Sequence, residues 1–574
     1  MVLINGVLSV ILLLGLIIYK YIFKRKVNLF CLLLLISILP LISILRAGTY
    51  ESGDLSQHTA KLMSFYNLLA NYKLIPRWTP EINVGYGDPY FLFAYFLPYF
   101  AGSVFHFLGF SFLNSLKMLL AFSFIFSGIT MYFWIKEELG SKPGFAAAIF
   151  YLFMPYHLVD LHFRVTVAEN LSFVFLPIIL LAIKKSIENY SKKWFIILSI
   201  CSGLLILSHQ AIAVSFLPVT IGYCFFTWFM KKNRTPRDLF FCFISIISGF
   251  LLVSFYWLPV VFLAKFTQSG LNPTPISFPA FTELLYSSWR YGFLFQGREG
   301  ELSYLIGYTQ LLIVCSSVYL IFKNRLRKRL KNLNIFFLII SAIIFLMMLP
   351  ITAPIWEITP FLKYSQYSTR LLVILSLCIS ALAGIIVKKV NKTWFVVILC
   401  FFTAIYTILN WGNRRTIPAI NDTYLQQEFN SRQNISGLEP TFPIWANLNK
   451  SKIKTRPKSN IEILRGKAAI KEILRTPISH IYNINVKSTV EIKENTLFFP
   501  GWIITANKKQ IAINYKNSEY PGIITFNLDQ GSYRVNVRFI DLPIIIFSKW
   551  LSGLSLLGIL IYVFIPKNLK LPKP

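Results

Sequence analysis

Apolar runs of about 17 to 24 residues recur along the chain, at 29–45, 239–260 and 546–565 among others, each long enough to cross a hydrocarbon core of about 30 Å as a helix. A helix meets all of its own backbone hydrogen bonds, so it is the form such runs take in lipid. Short basic stretches separate them: Lys24-Arg25-Lys26, Lys184-Lys185, Lys192-Lys193, Lys231-Lys232, Lys323 to Lys331, Lys388-Lys389 and Lys567. Clusters of this kind mark cytoplasmic loops, and parity then orders the rest. Residues 29–45 run outward, so Glu51-Ser-Gly-Asp-Leu-Ser-Gln-His58 emerges on the outer side. Two apolar stretches, about 91–109 and 112–135, lie before the next basic loop near Lys136 to Lys142, and only one can cross. The first is broken by Pro98 and Gly102 and reads as an interfacial or re-entrant helix.

Further spans are expected at about 144–156 and 170–183, enclosing an outer loop YHLVDLHFRVTVAEN, and at about 194–210, 211–230, 239–260, 303–322, 334–350, 370–387 and 394–411. Beyond residue 412 the pattern changes to period-two alternation, as in QIAINY, GIITFNL and SYRVNVRF, with turn signals at Tyr520-Pro-Gly522 and Asp529-Gln-Gly531. This predicts strands. The expected architecture is a polytopic α-helical membrane protein of about 13 spans with a C-terminal external, mostly β domain. Its parts are an extra N-terminal span and basic loop (1–27), a transmembrane domain (28–411), the β domain (412–545), and a final span with a basic cytoplasmic tail (546–574).

Composition fits: 55% of residues are hydrophobic and 14% charged, with a mean hydropathy of +0.59, too apolar for a soluble globular chain. The formal charge of +33 therefore signals topology, and no nucleic-acid partner is expected. Residues 412–545 hold 19 Lys+Arg against 10 Asp+Glu; long translocated domains are exempt from the loop-charge rule, and an anionic membrane lipid surface is the expected neighbour. All seven cysteines fall in expected spans, so no disulfide framework is implied. The first apolar run has its basic residues after it, which predicts a retained helix with an outer N-terminus. The C-terminus is cytoplasmic and the location is the plasma (inner) membrane. The sequon Asn434-Ile-Ser436 is too common a pattern to mark a substrate.

Candidate chemistry gathers at one depth. Asp54, His58, His157, Asp160, His162, Arg164, Glu169 and His209 all fall near the outer surface, whereas little charge lies within the spans, Lys117 being the main exception. Ionisable residues sharing a depth point to a functional site. The scarcity of acids mid-membrane argues against an ion-coupled transporter. Glu51, Asp54 and His58 share one face if their stretch is helical. Asp54 is a candidate general base, a metal ligand beside His58, or an N-cap for the amphipathic run that follows. Asp160 and Arg164, four apart, form either a loop salt bridge or, with Glu169, the second half of a polar site. Gly85-Tyr-Gly-Asp-Pro89 is a tight turn; Tyr90 stands where a dinucleotide fingerprint needs its third glycine.

The order ESGDLSQH, LIPRW, GYGDPYFLFAYFLP, YHLVDLHFRVTVAENLSFVFLP, LLILSHQ, YSQYSTRLL and FFPGWIITANKKQ with GSYRVNVRF resembles the bacterial YfhO-type membrane family and the related domain named for 6-pyruvoyl-tetrahydropterin synthase. Both are similar to the GT-C superfamily of membrane glycosyltransferases. The resemblance covers most of residues 28–565. It implies a polyprenyl-phosphate sugar donor and a catalytic base in the first outer loop, which Asp54 matches. Asp160, Arg164 and Glu169 match the second-loop pattern, with Glu51, His58, His157 and His209 as supporting or acceptor-side groups, and Arg164 and Arg370 facing the donor phosphate. No Asp-x-Asp and no adjacent acid pair is present in the first loop, so a divalent metal is allowed and not required. The function implied is transfer of a sugar to a cell-envelope glycan, lipid or protein acceptor on the outer face. A lipid-linked glycan translocase, or a scaffold with a glycan-binding β domain, are the alternatives.

Overall fold

The structure is a computed structural model, and it describes residues 2–72, 75–286, 295–296, 301–302, 304–359, 361–413, 415–431, 441–446, 453 and 456–564. Leu74 of the LIPRW motif, the Asn434 sequon and Lys567 lie outside them.

Seven described helices are long and apolar enough to cross a membrane, or up to nine if each of two bent pairs is one span; 29–45, 308–322 and 393–405 are shorter apolar helices. The first part of the chain runs α1 (Val2–Ile17), α2 (Leu29–Ile38), α3 (Leu55–Tyr72), α4 (Tyr90–Phe93), α5 (Phe96–Phe107), α6 (Phe112–Leu139), α7 (Ser141–Leu152), α8 (Pro155–Val159), α9 (Val167–Glu188), α10 (Lys192–Ser208) and α11 (Gln210–Met230). The broken 91–109 run is α4 and α5, interrupted at Ala94 and Tyr95. The 239–260 expectation needs correction: Pro236–Leu252 and Ser254–Phe266 meet at a 69° bend. So does the outer loop after 156. It is the helix α8 and a π-helical turn (Asp160–Arg164), with Tyr156 through His162 buried to 0% exposure.

Sequence supplies the caps and close approaches. Asn28 Oδ1 accepts from the Phe30 and Cys31 amides at α2, and Ser111 Oγ from Asn114 at α6, meeting donors that a helix start leaves unpaired. In the middle of the bundle, a Cβ on Gly249 would lie 2.2 Å from the Ser199 carbonyl oxygen, and one on Gly203 2.9 Å from that of Gly249. These two glycines let α10 and helix Pro236–Leu252 pack backbone to backbone, as membrane helices do at small residues.

The polar C-terminal part divides differently from expectation. Thr416 and Ile417 pair antiparallel with Tyr50 and Thr49, and the Asp422 carboxylate accepts from the Phe112 and Leu113 amides at 2.5 and 2.9 Å, capping α6 from 310 residues away. Residues 416–431 thus fasten onto the helices. The main sheet starts at β1 (Ile461–Thr476) and continues through β2 (Ser479–Leu497), β3 (Trp502–Ala506), β4 (Lys509–Ile511), β5 (Ile523–Leu528) and β6 (Gly531–Phe539). It is antiparallel in the order β1-β2-β6-β3-β4, with β5 also on β2. Its inward face, including Ile484, Trp502, Ile504, Val535 and Val537, packs with Trp78, Val84, Tyr86 and Leu92 of the first loop and with Leu263. Trp78 meets Trp502 edge-on at 5.2 Å, Leu497 donates its amide to the Tyr86 carbonyl at 2.8 Å, and Arg77 pairs with Asp541.

Within the sheet Glu494 is fully buried. It accepts from Arg475 Nη1 at 2.8 Å and from the Tyr482 hydroxyl at 3.2 Å, with His480 Nδ1 2.9 Å away. Burial would raise its pKa, but His480 and Arg475 outweigh that and hold it down to about 2. A depressed carboxyl pKa stabilises the fold above the unfolded value and loses that contribution as pH falls through the folded one. Glu494 therefore stabilises the sheet fully above about pH 4.5 and not below about pH 2. Glu494→Gln is expected to cost about 3 kcal/mol at neutral pH, read as a lower thermal midpoint, with the gap to wild type closing as pH falls through that window.

Candidate functional site

The site forms where three segments meet. Glu169 lies in the first turn of α9 with its side chain fully buried. Two guanidinium groups bracket it: Arg164 Nη1 is 3.3 Å from Oε2 and Nη2 3.3 Å from Oε1, and Arg370 Nε is 3.0 Å from Oε1. The Tyr156 hydroxyl donates to Oε2 at 2.8 Å while accepting from Arg164 Nη1 at 2.6 Å. Arg164 also donates to Asp160 Oδ1 at 2.8 Å. Isolated, a buried carboxylate costs several kcal/mol; two cations and a phenol offset that here.

Local geometry explains how Arg164 reaches. The π-helical turn ends in Val165 at φ +57° and ψ +45°, left-handed and fully buried. A β-branched residue there is strained, and such strain persists only where the surroundings over-determine it. The reversal takes the chain from Arg164 into α9 within three residues, which sets Arg164 against Glu169. Arg370 comes from a 3-10 turn (Ser368–Leu371), anchored by bonds from Nη1 to the Ser365 carbonyl and from Nη2 to Gln366 Oε1 at 3.5 Å.

Asp54 joins through the backbone. Gly53 donates its amide to the Phe163 carbonyl at 2.7 Å and Asp54 to the Arg164 carbonyl at 3.1 Å. A Cβ on Gly53 would sit 3.1 Å from that same Arg164 oxygen, so glycine permits the approach. Asp54 occupies the cap position of α3, since its carbonyl accepts the His58 amide at 2.8 Å. Yet no hydrogen bond reaches its carboxylate among the described residues. Burial raises its pKa, and Arg164, Lys61 and Arg370 offset this only in part while Glu169 adds to it.

The remaining expected residues separate. His58 Nδ1 lies 2.9 Å from the Tyr99 hydroxyl, and burial together with Lys61 pushes its pKa down to about 3, so it is neutral at physiological pH. His209 caps α11 and stacks on Tyr95, with Nε2 3.0 Å from the Tyr95 hydroxyl and 3.8 Å from Glu169 Oε1. Two placements are corrections. Glu51 is exposed and precedes α3, its backbone donating to the Arg415 carbonyl at 2.9 Å, so it shares no helical face with Asp54. His157 stacks flat on Phe173 at 3.8 Å and packs by Phe124, inside the bundle and outside the cluster. Lys61, Tyr95 and Tyr156 were not singled out from the sequence. Lys61 follows His58 by three residues, on the same face of α3, and that spacing was its available signal; the two tyrosines carried none. Among the described residues no group of three His, Cys, Asp or Glu side chains is arranged to hold a metal, so Asp54 and His58 have no third ligand of that kind.

Residues 93–417, more than half of the chain, match the family described as 6-pyruvoyl-tetrahydropterin synthase related domain, a membrane protein family. The chain belongs to that family. The family region contains Arg164, Glu169, His209 and Arg370 and begins after Asp54. An uncharacterized protein of Lactococcus lactis subsp. cremoris is 23% identical over 245 residues, 42% of this chain and 40% of that protein; the chain thus spans less than half of that relative's length. Among solved structures, arabinofuranosyltransferase AftD from Mycobacteria overlaps 67% of this chain and 26% of its own at 14% identity and a TM-score of 0.42. The archaeal oligosaccharyltransferase AglB from Archaeoglobus fulgidus, in complex with an inhibitory peptide and a dolichol-phosphate, overlaps 74% and 61% at 14% identity and a TM-score of 0.40. Both overlaps are partial.

Glu169→Gln removes the charge that two half-buried arginines share. A loss of about 3 to 5 kcal/mol is expected, appearing as a lower thermal midpoint in detergent. Unchanged stability would mean that the arginines are solvated and that the cluster is not closed as described.

Proposed function

We propose that this protein is an extracytoplasmic membrane glycosyltransferase that moves a sugar from a polyprenyl phosphate to an acceptor hydroxyl or amide, with Asp54 as the base. The observation that carries this reading is a carboxylate that accepts no hydrogen bond among the described residues, pinned by its backbone to a segment whose arginine, with a second one from far along the chain, is fixed in place by a buried glutamate. In the reaction the acceptor oxygen or nitrogen forms a bond to the anomeric carbon, the bond from that carbon to the phosphate oxygen breaks, and the acceptor proton passes to Asp54. The polyprenyl phosphate leaves with the bonding pair. Its charge needs neutralising, and prepositioned guanidinium groups do that without reorganising at the moment of reaction.

Neither arginine is exhausted by its protein partners. Nε of Arg164 makes no hydrogen bond among the described residues, and the side chains remain 12% and 14% exposed. Their first task is to neutralise Glu169; phosphate would meet the remaining N–H groups. Lys61, which affects the acidity of Asp54 and lies 4.4 Å over the Tyr90 ring, adds a third cation on the water side. The basic loops between spans support an outward site. A divalent metal, if used, would draw on Asp54 together with ligands from the substrate.

Purified protein and a panel of radiolabelled polyprenyl-phosphate sugars test this. Asp54→Asn should keep donor binding and lose transfer by about 10²-fold or more; normal transfer would remove Asp54 as base, and absence of donor binding in wild type would end the glycosyltransferase reading. The wild-type rate should fall on the acid side as Asp54 takes up a proton, at a pH above the ordinary aspartate value of about 3.9, because burial raises this carboxyl.

A further inference from the structure

Strands β1, β2 and β6 carry a row of side chains on the face opposite the one that packs on the first loop. Lys471 pairs with Asn483, and Asn483 with Arg534. The neighbouring row is Ala469, Asn485 and Ser532, in which Ser532 Oγ donates to Asn485 Oδ1 at 3.3 Å. Together they line an open cleft of about 500 Å³. Four residues on from Asn483 and Arg534, and therefore on the same face, stand Lys487 and Arg538. All four cations are exposed, and among the described residues none pairs with a carboxylate.

That arrangement is unusual within this sheet. Residues 461–539 contain 11 Lys+Arg and 6 Asp+Glu, and three of the acids are engaged elsewhere: Glu462 with Lys493, Glu494 with Arg475, Glu491 with Arg465. Lys471 and Arg534 flank Asn483 from the two neighbouring strands. An anion laid across the three strands would meet both charges. Neighbouring strands are about 4.8 Å apart, so the backbones at Lys471 and Arg534 stand roughly 10 Å apart with Asn483 between them. That spacing is about two sugar units long and suits charged groups on alternate units, with the Asn483, Asn485 and Ser532 amides and hydroxyl facing the sugar hydroxyls.

Orientation selects between two anionic occupants. The inward face of β2, β3 and β6 is buried against Trp78 and Tyr86 of the first loop, Leu92 of α4 and Leu263 at the end of helix Ser254–Leu263. The cationic face is the reverse side and is turned away from them; with the sheet seated on the helices by its inward face, this exposed side is the one open to a soluble polymer.

We propose that this face binds an anionic polysaccharide, carrying carboxylate or phosphodiester groups, and holds it on the water side of the membrane. The site is separate from the Asp54 cluster and does not depend on the transferase reading. The full-length protein in detergent should bind polygalacturonate in a salt-dependent manner and bind neutral dextran at least about tenfold more weakly. Lys471→Gln combined with Arg534→Gln should weaken polygalacturonate binding about tenfold or more, while Lys508→Gln combined with Lys509→Gln, at the β3–β4 turn, should not. Circular dichroism and the thermal midpoint should be unchanged in both. Equal binding by the Lys471/Arg534 double variant would overturn the proposal, as would indifference between the two polymers. Selective binding of phosphatidylglycerol vesicles lost in that variant, with none to polygalacturonate, would overturn it in favour of a lipid surface.

Discussion

A buried carboxylate that cannot stand alone organises this protein. Glu169 sits at the start of a helix otherwise made to lie in lipid, where an uncompensated charge is costly enough to be excluded. It is tolerated because Arg164, Arg370 and the Tyr156 hydroxyl converge on its two oxygens. Arg370 comes from 201 residues further along. To satisfy Glu169 the chain must therefore bring the turn before Leu372 against the start of α9, and must hold Val165 in a left-handed conformation. The fixed arginines are what the catalytic proposal draws on.

The loop from Glu51 to Pro89 links that cluster to the sheet. Its near end is Asp54, bonded by its backbone to Arg164; its far end is Trp78 and Tyr86, locked into the core of the sheet. Asp88 adds to the anchor, fully buried and accepting from Asn83 and from the Thr441 hydroxyl. Both ends of α3 are thus held by structure distant in sequence, one by the helical bundle and one by the β-sheet. A helix of 18 residues so restrained keeps its cap residue at a set position, which the proposed role of Asp54 requires.

Much of this was legible in the residues because membrane and strand periodicities are strong. The basic loops, α6, α9 and α11, the broken aromatic run at α4 and α5, and the alternation in GIITFNL and SYRVNVRF all follow from patterns of 3.6 and 2 residues. What escaped has a common physical cause. YHLVDLHFRVTVAEN looked like an outer loop because it is polar by composition, but its Asp160 and Arg164 neutralise each other, and with Glu169 paired as well the segment can be buried as helix. The bend after Leu252 lies where Ser548 and Ser552 of the last helix bond to Ser254 and Phe255, and Pro259 deprives the Phe255 carbonyl of its helical partner. Asp422 and Thr416–Ile417 looked like part of the β domain because neither a cap at 310 residues' distance nor a two-residue strand has a local signature. Among the site residues, the pairing of Asp160 with Arg164 was visible in the spacing of four. The meeting of Glu169 with Arg370 was not.

A structure determined by electron cryo-microscopy of the protein in lipid nanodiscs with a bound polyprenyl monophosphate tests the central claim most directly. The account predicts the phosphate within hydrogen-bonding distance of Arg164 or Arg370, with Glu169 still bracketed by both and the Asp54 carboxylate facing the same space. A phosphate bound elsewhere, with the two arginines closed on Glu169 and no room beside Asp54, would contradict it.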